Sequence, residues 1–235
     1  MDFFRGKKYP GRFIIIGKDA DAFVVLYGAT GRSPSSLARR FVQKGDGVYM
    51  TRTDETVERE GNPELLEYPA IKFFTQGILV ANGRQIEKIT ALESRDARQQ
   101  LSYALSEEAY EPDEYRTPRI TGCLIESARG IDGALHIARS AWNGIDRSSW
   151  SLSFESGKGR YLATYRGDDA RPTPSFSGNP LPIDLSFGSA DNAAEALFAA
   201  LRPEPGESDY RVGLIAVYKK TSQTPLVRVI NRIDV

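Results

Sequence analysis

The sequence holds few of the side chains that most often bind metals or act as nucleophiles: one cysteine, Cys123, and one histidine, His136, in 235 residues. A lone cysteine excludes an internal disulfide, leaves too little sulfur for a zinc cage and fits a reducing compartment. Net charge is also missing, because 31 basic residues balance 31 acidic ones. No overall field therefore draws the chain to nucleic acid or to an anionic membrane, and any anion site must be local. Nowhere do about 18 consecutive apolar residues occur, and the opening MDFFRGKKYPGRFIIIG has no signal-type apolar stretch. The expectation is a soluble cytoplasmic protein without a membrane span. Neither GKGRY at 157 nor GATGRS at 28 has the spacing of a nucleotide-binding loop. A Ser-His-Asp triad would have to use His136, whose alternating surroundings, ALHIA, read as a packed strand. Cys123, in ITGCLIE, reads as a core residue with nothing nearby in sequence to favour a thiolate.

Short β-branched and aromatic runs dominate what is present. RFIIIG (12–17) and AFVVLYG (22–28) read as a hairpin with a solvated acidic tip, KDAD. AIKFF and GILVA read as a second hairpin, its turn supplied by Gln76 and Gly77. Further strands are expected at 119–126, 134–139, 150–155, 161–165, 212–218 and 226–230. Helical periodicity appears twice. After TALE, a capping box from Thr90 to Glu93, apolar groups recur at Ala97, Leu101, Ala104 and Leu105. The second helix spans 192–201 and stops at Pro203. Both helices are expected to cover sheet faces. The proline-rich stretch 168–188 is expected to be a long loop, insertion or edge crossing that covers a pocket or reaches a neighbour. The sum is an α+β chain, 1–235 as a single domain, rich in antiparallel sheet.

Seven polar residues fall at strand ends: Arg12, Arg32, Tyr68, Lys72, Asn82, Glu111 and Arg119. Their spread suggests one composite pocket. In order, YPGR (9–12), GRS (31–33), Tyr68 four residues before Lys72, Asn82-Gly83, and YEPDEYRTPRI (110–120) form a series. It resembles the archaeal-type IMP cyclohydrolase family, and YLATYRGDDARPTPSFSGNPLP resembles the extra segment of that family's bacterial branch. The resemblance implies a fold like that of the N-terminal-nucleophile (Ntn) hydrolases, a four-layer αββα sandwich of antiparallel sheets. It also implies an enzyme of de novo purine biosynthesis that needs no cofactor or metal. Its reaction is the dehydrative closure of formamidoimidazole carboxamide ribonucleotide (FAICAR) to IMP, and a homo-oligomer is a possible assembly.

An amide nitrogen is a poor nucleophile, so ring closure needs a group to take its proton and a donor for the formyl oxygen as that oxygen gains charge. By the resemblance, Glu111 handles the carboxamide proton and is kept ionised by a neighbouring Arg119, with Pro112 and Pro118 stiffening the loop. Tyr68 donates to the formyl oxygen and Asn82 orients the amide. Arg32, helped by Arg12, anchors the phosphate or the carboxamide, and Lys72 adds a point charge. Ser33 and Gly83 complete the substrate contacts, Tyr27 and Tyr49 could stack on the base, and Asp113 and Glu114 are solvated flank. With Met1-Asp2 at the start as given, no hydroxyl or thiol stands first in the chain as a nucleophile. The family's RSxNSRNR is here RSPSSLARR, with Ser35, Leu37 and Ala38 replacing polar groups. Pro69, Ile86 and Glu87 are further departures. They motivate an alternative: a diverged, non-catalytic or altered-specificity nucleotide-binding relative on the same scaffold.

Overall fold

In the computed structural model, which describes residues 2–53, 67–93 and 96–235, the described strands run in order as follows. They are β1 (Arg12–Asp19), β2 (Ala22–Thr30), β3 (Arg39–Lys44), β4 (Gly47–Arg52), β5 (Tyr68–Phe74), β6 (Gly77–Ala81) and β7 (Arg119–Ser127). The remainder are β8 (Gly130–Ala141), β9 (Gly144–Ser151), β10 (Lys158–Ala163), β11 (Leu181–Asp184), β12 (Arg211–Lys219) and β13 (Leu226–Asn231). They form two sheets, ordered β11-β10-β1-β2-β12-β13 and β3-β4-β5-β6-β7-β8-β9, and every paired neighbour is antiparallel.

The apolar runs at the start form the centre of the first sheet because both their faces are covered. Phe13 to Ile16 and Val24 to Tyr27 are all buried, as expected of strands with no solvent face. One shared core joins the two sheets, with Ile14, Ile16, Val25 and Leu214 from the first and Ile71, Val80, Leu124 and Leu135 from the second. The sheets approach closely at Gly122 of β7, where an added Cβ would lie 2.7 Å from Ile16 Cδ1. A side chain there would push the layers apart.

Helix α1 (Pro34–Leu37) is a single turn, whereas α2 (Ala97–Ala104) and α3 (Ala190–Ala200) are longer. Leu101, Leu105 and Ala97 of the α2 region pack on Leu79, Cys123 and Ile125, the outer face of the second sheet. Ala193, Ala194 and Leu197 of α3 bury themselves against β12 and β13 of the first. One helix thus covers each outer face. The capping box expected at Thr90 does not form. Asp96 is the N-cap, its side chain accepting from Gln99 N at 2.8 Å, and residues 90–93 lie outside the helix. A second cap, Ser189, starts α3 two residues before the expected boundary.

Three other expectations change, and two strands went unread. Strands β3 and β4 had no reading because RRFVQK and GVYMTR carry many charged and polar groups; β3 is an edge strand, where exposed basic residues discourage pairing with another chain. The strand expected at 150–155 lies at Gly144–Ser151, since the tight β8–β9 hairpin pairs Ala141 with Gly144 and draws the polar GIDRSSWS into register. In the β5–β6 hairpin Gly77 already pairs with Phe74, so the turn is Thr75-Gln76. Asp19, expected in a solvated tip, is buried; it accepts from the backbone N–H groups of Phe187 and Gly188 and from Tyr218 Oη, at 2.7 to 2.9 Å. It thereby holds down the end of the proline-rich stretch. That stretch also contributes β11, an edge strand that tolerates Pro182 because one side needs no donor.

Candidate active site

Four strand ends converge on one buried polar cluster. Arg12 opens β1, Tyr68 opens β5, Asn82 follows β6, and the loop carrying Glu111 leads into β7. Tyr68 reaches the cluster through a β-bulge. β5 pairs Met50 with Tyr68 and Tyr49 with Pro69 but then Val48 with Ile71, which leaves Ala70 as the extra residue. Met50 and Val48 both point into the core between the sheets, so Tyr68 and Ile71, three apart, share that face. Without the bulge Tyr68 would point the other way. For the same reason Lys72 is not brought in. It stands opposite Leu79, which faces α2, and Tyr49 and Pro69 also lie on the face away from Tyr68.

The carboxylate of Glu111 is buried, its Oε1 accepting from Arg12 Nη2 at 2.7 Å and from Asn82 Nδ2 at 3.2 Å. Its loop is a closed bend. Glu111 N donates to Thr117 O at 2.8 Å, and Asp113 accepts from Thr117 N at 2.8 Å and from Thr117 Oγ1 at 2.5 Å. Asp113 is therefore the tie that closes the loop, an Asx-type turn, and not solvated flank. Thr117 Oγ1 also shares a 2.6 Å hydrogen bond with Tyr165 Oη, which fastens the loop to the first sheet.

The expected partner of Glu111 is corrected. Arg119 sits with Glu108, Nε to Oε1 at 3.4 Å, and donates from Nη1 to Gln85 Oε1 at 3.2 Å; Arg12 holds Glu111 instead. Sequence could not choose between them, because Arg12 arrives from the other sheet. Burial pushes the Glu111 carboxyl above the usual carboxylate range, and Arg12, by charge and hydrogen bond, opposes that rise. Burial likewise works against the Arg12 charge, but Glu111 and the phenols of Tyr68, Tyr165 and Tyr27 outweigh it and keep the guanidinium protonated. Arg12→Met strands the acid in the core and should lower stability by about 3–5 kcal/mol in denaturant unfolding at neutral pH. A loss under about 1 kcal/mol would show that the pair is solvated.

Sequence reading missed Arg39. It opens β3 and is buried, yet among the described residues its side chain makes one hydrogen bond, from Nε to Ser36 O at 2.9 Å, and no carboxylate pairs with it. Burial pulls its guanidinium below the ordinary value; Arg12 adds to this, and Tyr68 and Tyr27 oppose it. Two arginines and two phenols thus meet in one buried space with a single carboxylate, an arrangement that favours an incoming anion. The signal was present, since the last arginine of the family's RSxNSRNR falls on Arg39. Tyr27 is wholly buried, edge-on to Phe41, and shares a 2.9 Å hydrogen bond with Tyr68 Oη; it has no free face for a base. Tyr49 donates to Asp46 at 2.7 Å.

Arg32 lies at the rim. Its guanidinium covers the Tyr9 ring at 4.2 Å, donates to Asp169 at 3.0 Å and also to Thr173 Oγ1. The proline-rich stretch thus already balances its charge. Ser33 caps α1, accepting from Ser36 N at 3.2 Å. Gly83 borders Gln85, whose Oε1 would lie 2.8 Å from an added Cβ. The family departures mostly spare the cluster. Ile86 is buried beneath α2, Glu87 is exposed and pairs with Arg84 at 3.8 Å, and Ser35 bonds Ser33 at 3.1 Å. Cys123 faces α2 with its thiol pushed up to about 12 by burial. His136 is packed, its imidazole lowered to about 4 by burial and by Arg147. Among the described residues no three His, Cys, Asp or Glu side chains are grouped to hold a metal ion, and no helix is long and apolar enough to cross a membrane.

Two facing antiparallel sheets bury an acid, two phenols and two arginines at their joined ends, the arrangement of an α+β protein. Comparison with known proteins gives the family. The profile of the "IMP cyclohydrolase-like protein" family matches residues 9–223. An IMP cyclohydrolase of Thermococcus kodakarensis is 31% identical over 193 residues, 80% of this chain and 84% of that protein. The IMP cyclohydrolase of Halobacterium salinarum is 28% identical over 194 residues, 82% and 85% of the two chains. That of Methanocaldococcus jannaschii is 27% identical over 157 residues, 67% and 73%. The chain belongs to the IMP cyclohydrolase-like family.

Proposed function

We propose that this protein is an IMP cyclohydrolase, closing FAICAR to IMP with loss of one water. In the first step the carboxamide nitrogen attacks the formyl carbon, a C–N bond forms, Glu111 takes the nitrogen's proton and the formyl oxygen becomes a hydroxyl. In the second that hydroxyl leaves as water with the proton that Glu111 took, the formamido nitrogen's proton passes to the Tyr68 oxygen, and the C=N bond to that nitrogen forms. Tyr68 is the donor to the oxygen. Burial raises the Tyr27 phenol well above its ordinary value, so Tyr27 keeps its proton, and by donating to Tyr68 it leaves the Tyr68 proton for the substrate. Arg39 holds an anionic group of the ribonucleotide. Asn82 acts on Glu111, since both its N–H bonds are already committed to Glu111 and to Pro118 O at 2.9 Å.

The observation that carries this function is the buried Glu111 set between Arg12 and Asn82, in a cluster with Tyr68 and with Arg39, which has no carboxylate partner among the described residues. The relatives' names support the substrate. We assign the chain, on the same grounds, to one cytoplasmic domain with Ntn-hydrolase-like αββα layering; a helix on each outer sheet face supports the layering, and the core shared between the sheets supports the single domain. Purified protein mixed with FAICAR should produce IMP, followed by ultraviolet absorbance, well above the uncatalysed rate. Binding of IMP without turnover would instead favour a non-catalytic nucleotide-binding relative.

A further inference from the structure

A polar chain runs from the protein surface through Lys88, Glu108, Arg119 and Gln85 to Asn82 and Glu111. Asn82 is fully committed. Its Oδ1 accepts from Ile120 N at 2.7 Å and from Gln85 Nε2 at 3.0 Å, while Nδ2 donates to Glu111 and to Pro118 O. A flipped amide would set its oxygen against the Glu111 carboxylate and its N–H bonds against Ile120 N–H. Gln85 is committed in the same sense. Its Nε2 donates to Asn82 Oδ1, to Ile120 O at 3.1 Å and toward Thr121 Oγ1 at 3.4 Å. Its Oε1 accepts from Arg119 Nη1 at 3.2 Å. Arg119, a donor that cannot accept, thereby dictates which end of the Gln85 amide faces Asn82. Glu108 holds Arg119 in turn, and Lys88 reaches the other Glu108 oxygen at 2.6 Å from the exposed side. Gly83 leaves room for this packing, because a Cβ there would press on Gln85 Oε1 at 2.8 Å.

We propose that Gln85 and Arg119 are positioning residues that hold the Glu111 carboxylate through Asn82, and that Arg119 does not contact the substrate. The two buried amides transmit orientation because each has one polarity that satisfies its neighbours and one that opposes donor to donor or acceptor to acceptor. Glu111 can then neither rotate off Arg12 nor lose its second donor. The proposal rests on Glu111 as the reacting group, so the experiment needs a readout that survives failure of that role.

The experiment is an NMR titration of the Glu111 carboxyl carbon, assigned by its loss in Glu111→Gln, run beside steady-state kinetics in wild type, Gln85→Leu and Arg119→Lys. Gln85→Leu keeps every charge that faces Glu111, namely Arg12, Asp113 and Arg119. It should move the carboxyl midpoint to higher pH, because a loosened Asn82 no longer donates to the ionised form. It should also lower kcat by about tenfold with KM changed by less than about twofold, as expected when a reacting group is misplaced. Arg119→Lys keeps a donor near Gln85 and should leave the midpoint and most of kcat as in wild type. An unmoved midpoint in Gln85→Leu, or a KM rise in Arg119→Lys that exceeds its effect on kcat, overturns the proposal. Should Gln85→Leu not fold, Gln85→Met tests the same point with closer volume. A wild-type enzyme that forms no IMP overturns the proposed function, and the carboxyl titration still decides the positioning.

Discussion

Glu111→Gln should lower kcat for IMP formation by about a hundredfold or more, the usual scale for removing a general base. Glutamine matches the shape and can still accept from Asn82, so the loss reports protonation chemistry. The pH profile sharpens the test. The base works ionised, so activity rises with pH as Glu111 loses its proton. Because burial raises that value above the ordinary carboxylate range, the acid limb of kcat/KM should stand above the position of an unperturbed glutamic acid. Stability moves the other way. A carboxyl whose folded value is raised favours folding fully below its unfolded value, near about 4.3, and that contribution is lost as pH rises through the folded value. Activity and this part of the stability should therefore cross in one pH window, and both trends should vanish in Glu111→Gln. Retention of more than about a third of wild-type kcat would remove Glu111 from the chemistry.

Arg39→Met should move stability and function in opposite directions. A buried guanidinium without a carboxylate partner costs free energy, and replacing it with an apolar side chain of similar length should stabilise the free protein by about 1–4 kcal/mol. The thermal midpoint should rise. If Arg39 is held uncompensated for the sake of a ligand's negative charge, KM should rise by about tenfold to a hundredfold while kcat changes little. Arg12→Met, a chemically identical change nearby, should instead destabilise, because Arg12 already has its acid. A lower midpoint for Arg39→Met would mean that this arginine supports the fold, and an unchanged KM would place the anion elsewhere.

Legibility in the sequence followed how local each determinant is. Apolar periodicity in RFIIIG, AFVVLYG and GILVA marked strands that stand where expected, since such runs have no stable alternative to two-sided burial. Edge strands were harder: RRFVQK and GIDRSSWS owe their extension to a paired neighbour and carry no alternation of their own. Thr90 looked like a cap by spacing, but Asp96 lies next to the first turn of the packed helix and captures Gln99 N–H. In the site, chemistry-bearing side chains were recognisable by type and motif, whereas their partners were not. Arg119 was the nearer arginine to Glu111 in sequence, and Arg12 is the nearer in space, 99 positions away along the chain. Lys72 and Tyr68 look like one helper pair at a spacing of four until the extra residue at Ala70 sends them to opposite faces.

By itself the sequence determined the strand-rich α+β class, the lack of disulfide chemistry and net charge, and the family, through motifs whose residue types ring closure needs. Tertiary structure alone decided which arginine pairs with Glu111, which arginine has no carboxylate partner among the described residues, and that Asn82 donates to the acid. The physical reason is that charge pairing, desolvation and amide polarity depend on distances of 3 to 4 Å, and those distances are set where two sheets meet, between segments that the chain order keeps far apart.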